Sequence, residues 1–390
     1  MEGFMQTIAR AVLAMLVSIG PGVGQAAYQS QFIEESKAWG SAVADYNGDG
    51  HDDIFITGHH KEDRIWYWTP SGYVPSAQVF VYVDRHDCDA ADVDRDGRID
   101  IYCAVGAERG LGDGPKELWM QGADGVFQLR EQHGADDIYG RARIPLFIDF
   151  NRDGYPDIYL TNQHTVRVDG QVNHNHLFLN QGDGTPHFAE VPTLATGPRG
   201  WACAAKGDVN GDGWDDLLVC DFEGPPHVYL NDQAGNFTEL ATPAVAARWR
   251  HARLADMNRD GRDDLVVITT GNTLQVWLNS GTGVHFETPS LTHKFGWGGR
   301  SFTIGDFNRD GLKDIYVVQR QMSCPDTNQD IAYDLMFHGR QSGGFNRLKM
   351  PETYAGCGHR ADTLDGDKVL LMNGDIDSVG PSYVIEWLVP

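Results

Sequence analysis

Positive charge is scarce in this chain: 31 Lys and Arg stand against 55 Asp and Glu in 390 residues, for a formal net charge of −24 at pH 7. Nucleic acids need a basic face on their partner, so that class of ligand is excluded. Long apolar runs are also lacking. Ala11 to Gly20 is too short to span a bilayer comfortably. Preceded by Arg10 and followed by the small residues Gly24 and Ala26, it reads as a secretory signal peptide over residues 1–26. No cysteine follows that cut closely enough for a lipoprotein anchor. A Gly-x-Ser-x-Gly elbow and a zinc-type His/Glu motif are both absent. The expected localisation is secreted, extracellular or periplasmic, with no membrane span.

What the chain does have is one acidic sentence written six times, beginning at Asp45, Asp92, Asp149, Asp208, Asp256 and Asp306. Carboxylates at positions 1, 5 and 9, Asn or Asp at 3 and Gly at 6 place hard oxygen donors around a chain reversal, as a calcium ion requires. In the first loop Asp45, Asn47, Asp49 and Asp53 would give side-chain oxygens and His51 its carbonyl. The equivalents are Asp92, Asp94, Asp96, Arg98 and Asp100, then Asp149, Asn151, Asp153, Tyr155 and Asp157, then Asp208, Asn210, Asp212, Trp214 and Asp216. Asp256, Asn258, Asp260, Arg262 and Asp264 follow, and Asp306, Asn308, Asp310, Leu312 and Asp314 complete the series. The expected cofactor is thus Ca2+, about six ions. An EF-hand is excluded because position 12 is apolar or Cys rather than Glu, and because β-branched runs flank the loops instead of helices. Of the 55 acidic residues, 19 occupy these ligand positions, so the acidity is largely a metal-site signature.

The six cysteines are even in number, as suits export. Cys88 and Cys103 lie at −4 and +11 from Asp92, and Cys203 and Cys220 at −5 and +12 from Asp208. A constant sum of offsets marks directly opposed residues on the two arms of an antiparallel hairpin, within disulfide reach. The expected pairs are Cys88–Cys103 and Cys203–Cys220, with Cys324–Cys357 as the remainder.

First-Asp spacings of 47, 57, 59, 48 and 50 residues define a repeat. Each unit reads as four strands: one before the acidic loop, the apolar run after it, a third, and a fourth opening on Tyr73, Phe127, Phe188, Phe237, Phe286 or Phe345. Asp362, Asp365 and Asp367 mark a seventh, eroded copy that lacks its position-9 carboxylate and is expected to hold calcium poorly or not at all. The fold class is therefore all-β: a seven-bladed β-propeller of four-stranded antiparallel blades over residues 27–390. Phe32-Ile-Glu-Glu matches a fourth-strand opening, so the N-terminal strand would complete the C-terminal blade and close the ring.

The motif Asp-x-[Asn/Asp]-x-Asp-Gly-x-x-Asp followed by Ile or Leu, and units such as Leu177-Phe-Leu-Asn-Gln-Gly-Asp-Gly, resemble the FG-GAP or VCBS repeat family. That is the propeller type of integrin α-chains, some fungal lectins and exported bacterial proteins related to cartilage acidic proteins. The resemblance implies the fold and calcium but not a ligand.

In an up-and-down blade the acidic turns share one side, so a ligand is expected on the other. The connections there carry Trp39, Trp201, Trp249 and Trp297, with Arg85, Arg143, Arg199, Arg250, Arg300 and Arg360 beside inner strands. Indole and guanidinium groups suit acidic glycans. A recognition or adhesion module for a glycan or an extracellular protein is the preferred reading. Its rival is a lyase-like polysaccharide enzyme using Arg and His on that face, where His59, His60, His164, His174 and His176 fall. The alternative to both is that the Trp residues wedge between blades and the Arg residues balance neighbouring Asp.

Overall fold

The computed structural model describes residues 27–106, 114–163, 166, 170–192, 203–220, 226–233, 236–240, 249–279, 284–286, 289–296, 298–320, 333–350, 358–373 and 379–388. The expected signal peptide, the Cys324–Cys357 pair, His164, Arg199, Trp201 and Trp297 lie outside the described residues. Among those described there are 27 strands and no helix, hence no helix long and apolar enough to cross a membrane.

Five sheets have four antiparallel strands. They are β9 (Ala142–Ile148), β10 (Asp157–Asn162), β11 (His176–Asn180) and β12 (Phe188–Glu190); β13 (Cys203–Gly207), β14 (Asp216–Cys220), β15 (His227–Asn231) and β16 (Phe237–Leu240); β17 (Trp249–Ala255), β18 (Asp264–Thr269), β19 (Thr273–Trp277) and β20 (Leu291–Lys294); and β21 (Gly298–Gly305), β22 (Asp314–Arg320), β23 (Leu335–Gly339) and β24 (Phe345–Lys349). In the fifth, β25 (Gly358–Leu364), β26 (Lys368–Asn373) and β27 (Gly380–Leu388) are joined at the outer edge by β1 (Ala27–Ser36), paired from Ala27↔Leu388 to Ser36↔Gly380 with a register shift between Phe32 and Glu35. The N-terminal strand therefore completes the C-terminal sheet as the sequence predicts.

The expectation of seven separate four-stranded blades needs correction. β2 (Ala38–Ala44), β3 (Asp53–Tyr67), β5 (Phe80–Ala91), β6 (Asp100–Val105), β7 (Glu117–Gln121) and β8 (Phe127–Arg130) form one continuous sheet, seven-stranded with the short β4 (Val74–Pro75). The cause is the 15-residue β3. It runs on past its hairpin and pairs with β5 at His59↔Asp84, Lys61↔Val83 and Asp63↔Phe80. Arg85, fully buried, secures the crossover by bonding Asp63 of β3 at 2.7 Å and Glu117 of β7 at 2.6 Å. The strand beginning at Phe286 is a second correction. Phe286 makes an isolated bridge to Asn279, and the described fourth strand is Leu291–Lys294, beyond Pro289.

Burial explains the layering. The second strand of each unit is buried on both faces, as in β6, β10 and β18, because it is sandwiched between neighbouring sheets. Outer strands such as β8 keep one buried aromatic and expose the rest. Apolar clusters fill each interface between sheets. Tyr102 and Leu118 meet Phe147 and Ile158, and at the closure Leu370 and Val384 meet Ile54 and Tyr73. The innermost strands converge on a central cavity of about 370 Å³ lined by Ser41, Asp87, Ile144, Ala204, Arg253, Thr303 and Arg360.

Two of the three expected disulfides lie among the described residues, and both form between directly opposed residues: Cys88–Cys103 at a Cα separation of 4.1 Å and Cys203–Cys220 at 5.0 Å. Two such bonds fit an extracellular or periplasmic protein.

Candidate metal loops and the opposite mouth

The six acidic loops share one hydrogen-bond scaffold. The position-1 carboxylate accepts the N–H of the position-6 glycine in every copy, as from Gly50 to Asp45 at 2.8 Å and from Gly311 to Asp306 at 2.7 Å. Position 3 accepts the N–H of position 5, and position 5 accepts that of position 7, as in Asn210, Asp212 and Trp214. The position-6 glycines all sit near φ +85°, for instance Gly50 at 86° and Gly213 at 83°, where a Cβ is strained. The residue at position 2 anchors the loop in the core: Tyr46, Val93, Phe150, Val209 and Phe307 are buried.

Position 9 carries a structural load that the sequence does not announce. Asp53, Asp100, Asp157, Asp216, Asp264 and Asp314 are at most 1 % exposed, and both oxygens of each already accept backbone N–H groups. Asp157 takes the N–H of Phe150 at 2.9 Å and of Asn180 at 2.8 Å; Asp216 takes those of Val209 and Asn231. One carboxylate thus ties the start of the loop to the end of the third strand. Burial, reinforced by the neighbouring loop carboxylates, pushes Asp53, Asp100, Asp157 and Asp216 up to about 7, and Asp264 to about 6.

Two further sets of residues escaped the sequence reading. The side-chain amides of Gln121, Asn180 and Asn231 reach to the position-2 carbonyl of the preceding loop, Tyr46, Val93 and Phe150, at 2.8, 2.8 and 2.9 Å. Asn279 does the same to Val209. Their signal was the amide closing each third strand, as in Leu-Phe-Leu-Asn. Arginines at position 4, Arg95, Arg152, Arg259 and Arg309, hold positive φ. Arg95 lies 5.1 Å over the Tyr155 ring and Arg152 4.7 Å over that of Trp214, each in the next loop, while Arg309 pairs with Asp367 and Glu386.

The donors present fit a hard divalent cation. Oxygens of Asp92, Asp94 and Asp96 lie within 4.8 Å of one another, and Asp149 Oδ1 is buried with no hydrogen-bond partner among the described residues. Arg98 folds back onto Asp96 and supplies part of the charge that a cation would neutralise there. The eroded seventh turn is arranged differently. Asp362 turns to Arg360, Arg253 and the Ser41 hydroxyl, Asp367 to Arg309, and Asp365 to Lys368. Asp365 also clasps the first loop: the Asp52 N–H donates to it at 2.7 Å and its own N–H donates to Asp52 at 2.6 Å.

The opposite mouth is only partly as expected. Trp249 is fully buried in the core, Arg85 is spent on Asp63 and Glu117, and Arg360 bonds Asp87 and Asp362 inside the central cavity, so none of them offers a rim contact. Trp39 is half-buried, 4.2 Å from the His359 ring and 5.7 Å from that of His86. Arg143 bonds His86 and Gln163, neither of them a carboxylate, and burial, then the nearby Arg141, pushes its pKa down to about 9. Arg250 keeps a buried Nε without a hydrogen-bond partner among the described residues, and Arg300 is half-buried.

A lectin from Agrocybe aegerita, described for recognition of non-reducing terminal N-acetylglucosamine, aligns at TM-score 0.55 and 19% identity, covering 79% of each chain. BBS1N, solved in complex with ARL6DN, aligns at TM-score 0.56 and 9% identity over 92% of this chain and 94% of its own. At such identities the likeness concerns the fold. No curated protein matches the chain. The FG-GAP-like repeat matches residues 45–103, 92–160, 149–219, 208–267 and 256–317. Since these segments run without a break through most of the sequence, and each starts on the first aspartate of an acidic loop, the chain belongs to the FG-GAP-like repeat family.

Proposed function

We propose that this chain is an exported, calcium-loaded propeller that acts as a recognition module for acidic glycans on the mouth opposite the acidic loops. The observation that carries the ligand class is the state of the mouth arginines. Arg143 is mostly buried with a histidine and an amide as side-chain partners, and Arg250 holds a buried Nε with no acceptor among the described residues. A desolvated guanidinium with no carboxylate hydrogen-bonded to it, Asp84 reaching Arg143 only across His86, gains from an anionic ligand, and a carboxylated or sulfated sugar supplies one in bidentate geometry. Trp39 adds a half-buried aromatic, its ring 5.7 Å from that of His86, to which Arg143 bonds.

Calcium would be held by positions 1, 3 and 5 and the carbonyl of position 7 in each loop, with position 9 behind them. Its part is to neutralise clustered carboxylates and fix the hairpin tips, which keeps the mouth in shape from the far side. Elemental analysis of protein dialysed against millimolar calcium should find about six ions per chain. A glycan array read in calcium should show acidic sugars, with Arg143→Ala and Trp39→Ala each weakening binding about tenfold or more. Binding confined to a protein partner would redirect the ligand class, and release of unsaturated sugars from a uronate polymer would replace recognition with catalysis.

A further inference from the structure

On the same side as the mouth, away from the acidic loops, the third sheet of the chain brings two imidazoles and a carboxylate to one point. His176 opens β11 opposite Leu160, His174 precedes it by two residues, and Glu190 closes β12 opposite Phe178. His176 Nδ1 is 2.7 Å and His174 Nε2 is 3.4 Å from Glu190 Oε1, and the ligand atoms of all three lie within 4.8 Å of one another. The two rings are 4.2 Å apart.

We propose that His174, His176 and Glu190 form a site for a first-row divalent transition ion of the zinc or copper class, separate from the calcium loops. Imidazole nitrogen suits these ions and is a poor ligand for calcium. In a tetrahedral site with ligand bonds of about 2.0–2.1 Å the ligand atoms stand roughly 3.3 Å apart. The His174–Glu190 edge already has that length, and the His176–Glu190 edge needs to open by only about 0.6 Å. The site also has the support that metal-binding histidines require. His176 is stacked on Phe178 at 5.1 Å with an interplanar angle of 12°; a metal ion would displace the proton that Nδ1 shares with Glu190 at 2.7 Å, leaving the protonated Nε2 facing Asp137 Oδ2 at 3.6 Å. The side chains of His174 and Glu190 are 40% and 46% exposed, so the remaining coordination position faces solvent and is open to water or to a ligand oxygen.

The neighbouring sheet provides an internal comparison. His227 opens β15 and pairs with Glu239 of β16 at 2.6 Å, at the positions of His176 and Glu190. Two residues before His227 stands Pro225, so that copy lacks the counterpart of His174. The extra histidine distinguishes the site from a repeated ion pair.

The test titrates zinc chloride into the full chain saturated with calcium, which occupies the acidic loops, and follows heat; cobalt(II) absorption in the visible range reports the ligand set independently. The expected result is one zinc ion per chain at this site, weakened about tenfold or more by His174→Ala and by Glu190→Gln and unchanged by His227→Ala. Equal zinc affinity in wild type and His174→Ala, or no zinc uptake by calcium-loaded wild type, would overturn the proposal. His174 is partly exposed, so its substitution leaves the core intact; Glu190→Gln preserves shape and guards against any local distortion.

Discussion

Within each acidic loop, carboxylates of identical chemistry carry two different loads. Asp149 at position 1 has a buried oxygen that no donor of the described residues reaches, whereas Asp157 at position 9 has both oxygens taken by backbone N–H groups. Asp157→Ala should therefore destabilise the chelated protein by about 2 kcal/mol or more, because two buried donors lose their acceptor. Asp149→Ala should leave the chelated protein within about 1 kcal/mol of wild type and abolish one calcium site. Urea midpoints in EDTA and in calcium distinguish the two, and equal losses in EDTA would contradict the division of labour. Asp334 gives a pH prediction of its own. Fully buried, and bonded by the Tyr316 hydroxyl and the Gln319 N–H, it is pushed by burial up to about 7. A carboxyl whose folded pKa is raised stabilises fully below its unfolded value and loses that contribution as pH rises through about 7. Melting temperatures of Asp334→Asn should thus fall less than those of wild type between pH 5 and 8.

Strands were legible where alternation and β-branched runs are strong, and the register came through where cysteines marked opposed positions. The extension of β3 was not legible, since Gly58 to Asp63 is polar and no apolar period announces it. Its stability comes from charge contacts: Lys61 bonds Glu34 and Asp63, and Arg85 bonds Asp63 and Glu117. Removing the guanidinium leaves two carboxylates buried without it, so Arg85→Ala should cost about 3–5 kcal/mol by chemical denaturation. A loss under about 1 kcal/mol would show that the backbone pairing alone holds the crossover.

Over the whole molecule, closure rests on two contacts between the chain's ends: β1 zipped along β27, and the reciprocal bonds of Asp52 and Asp365. Deleting residues 27–36 would expose the edge of β27, with its buried apolar face, as a template for another chain. Analytical ultracentrifugation should then show self-association at micromolar concentration; a stable monomer with unchanged melting temperature would mean that the packing of Leu370 and Val384 on Ile54 closes the ring unaided.

The sequence by itself determined the repeat, the β class, the two described disulfides, the acidic loops and the strand that completes the last sheet, because each follows from local spacing and from residue chemistry at fixed intervals. Only the tertiary structure decided which aspartates serve the backbone, that Trp249 and Arg85 belong to the interior rather than the rim, that two units share one sheet, and that His174, His176 and Glu190 meet. Those outcomes depend on what lies across an interface, and burial beside a distant strand leaves no trace in the order of residues along the chain.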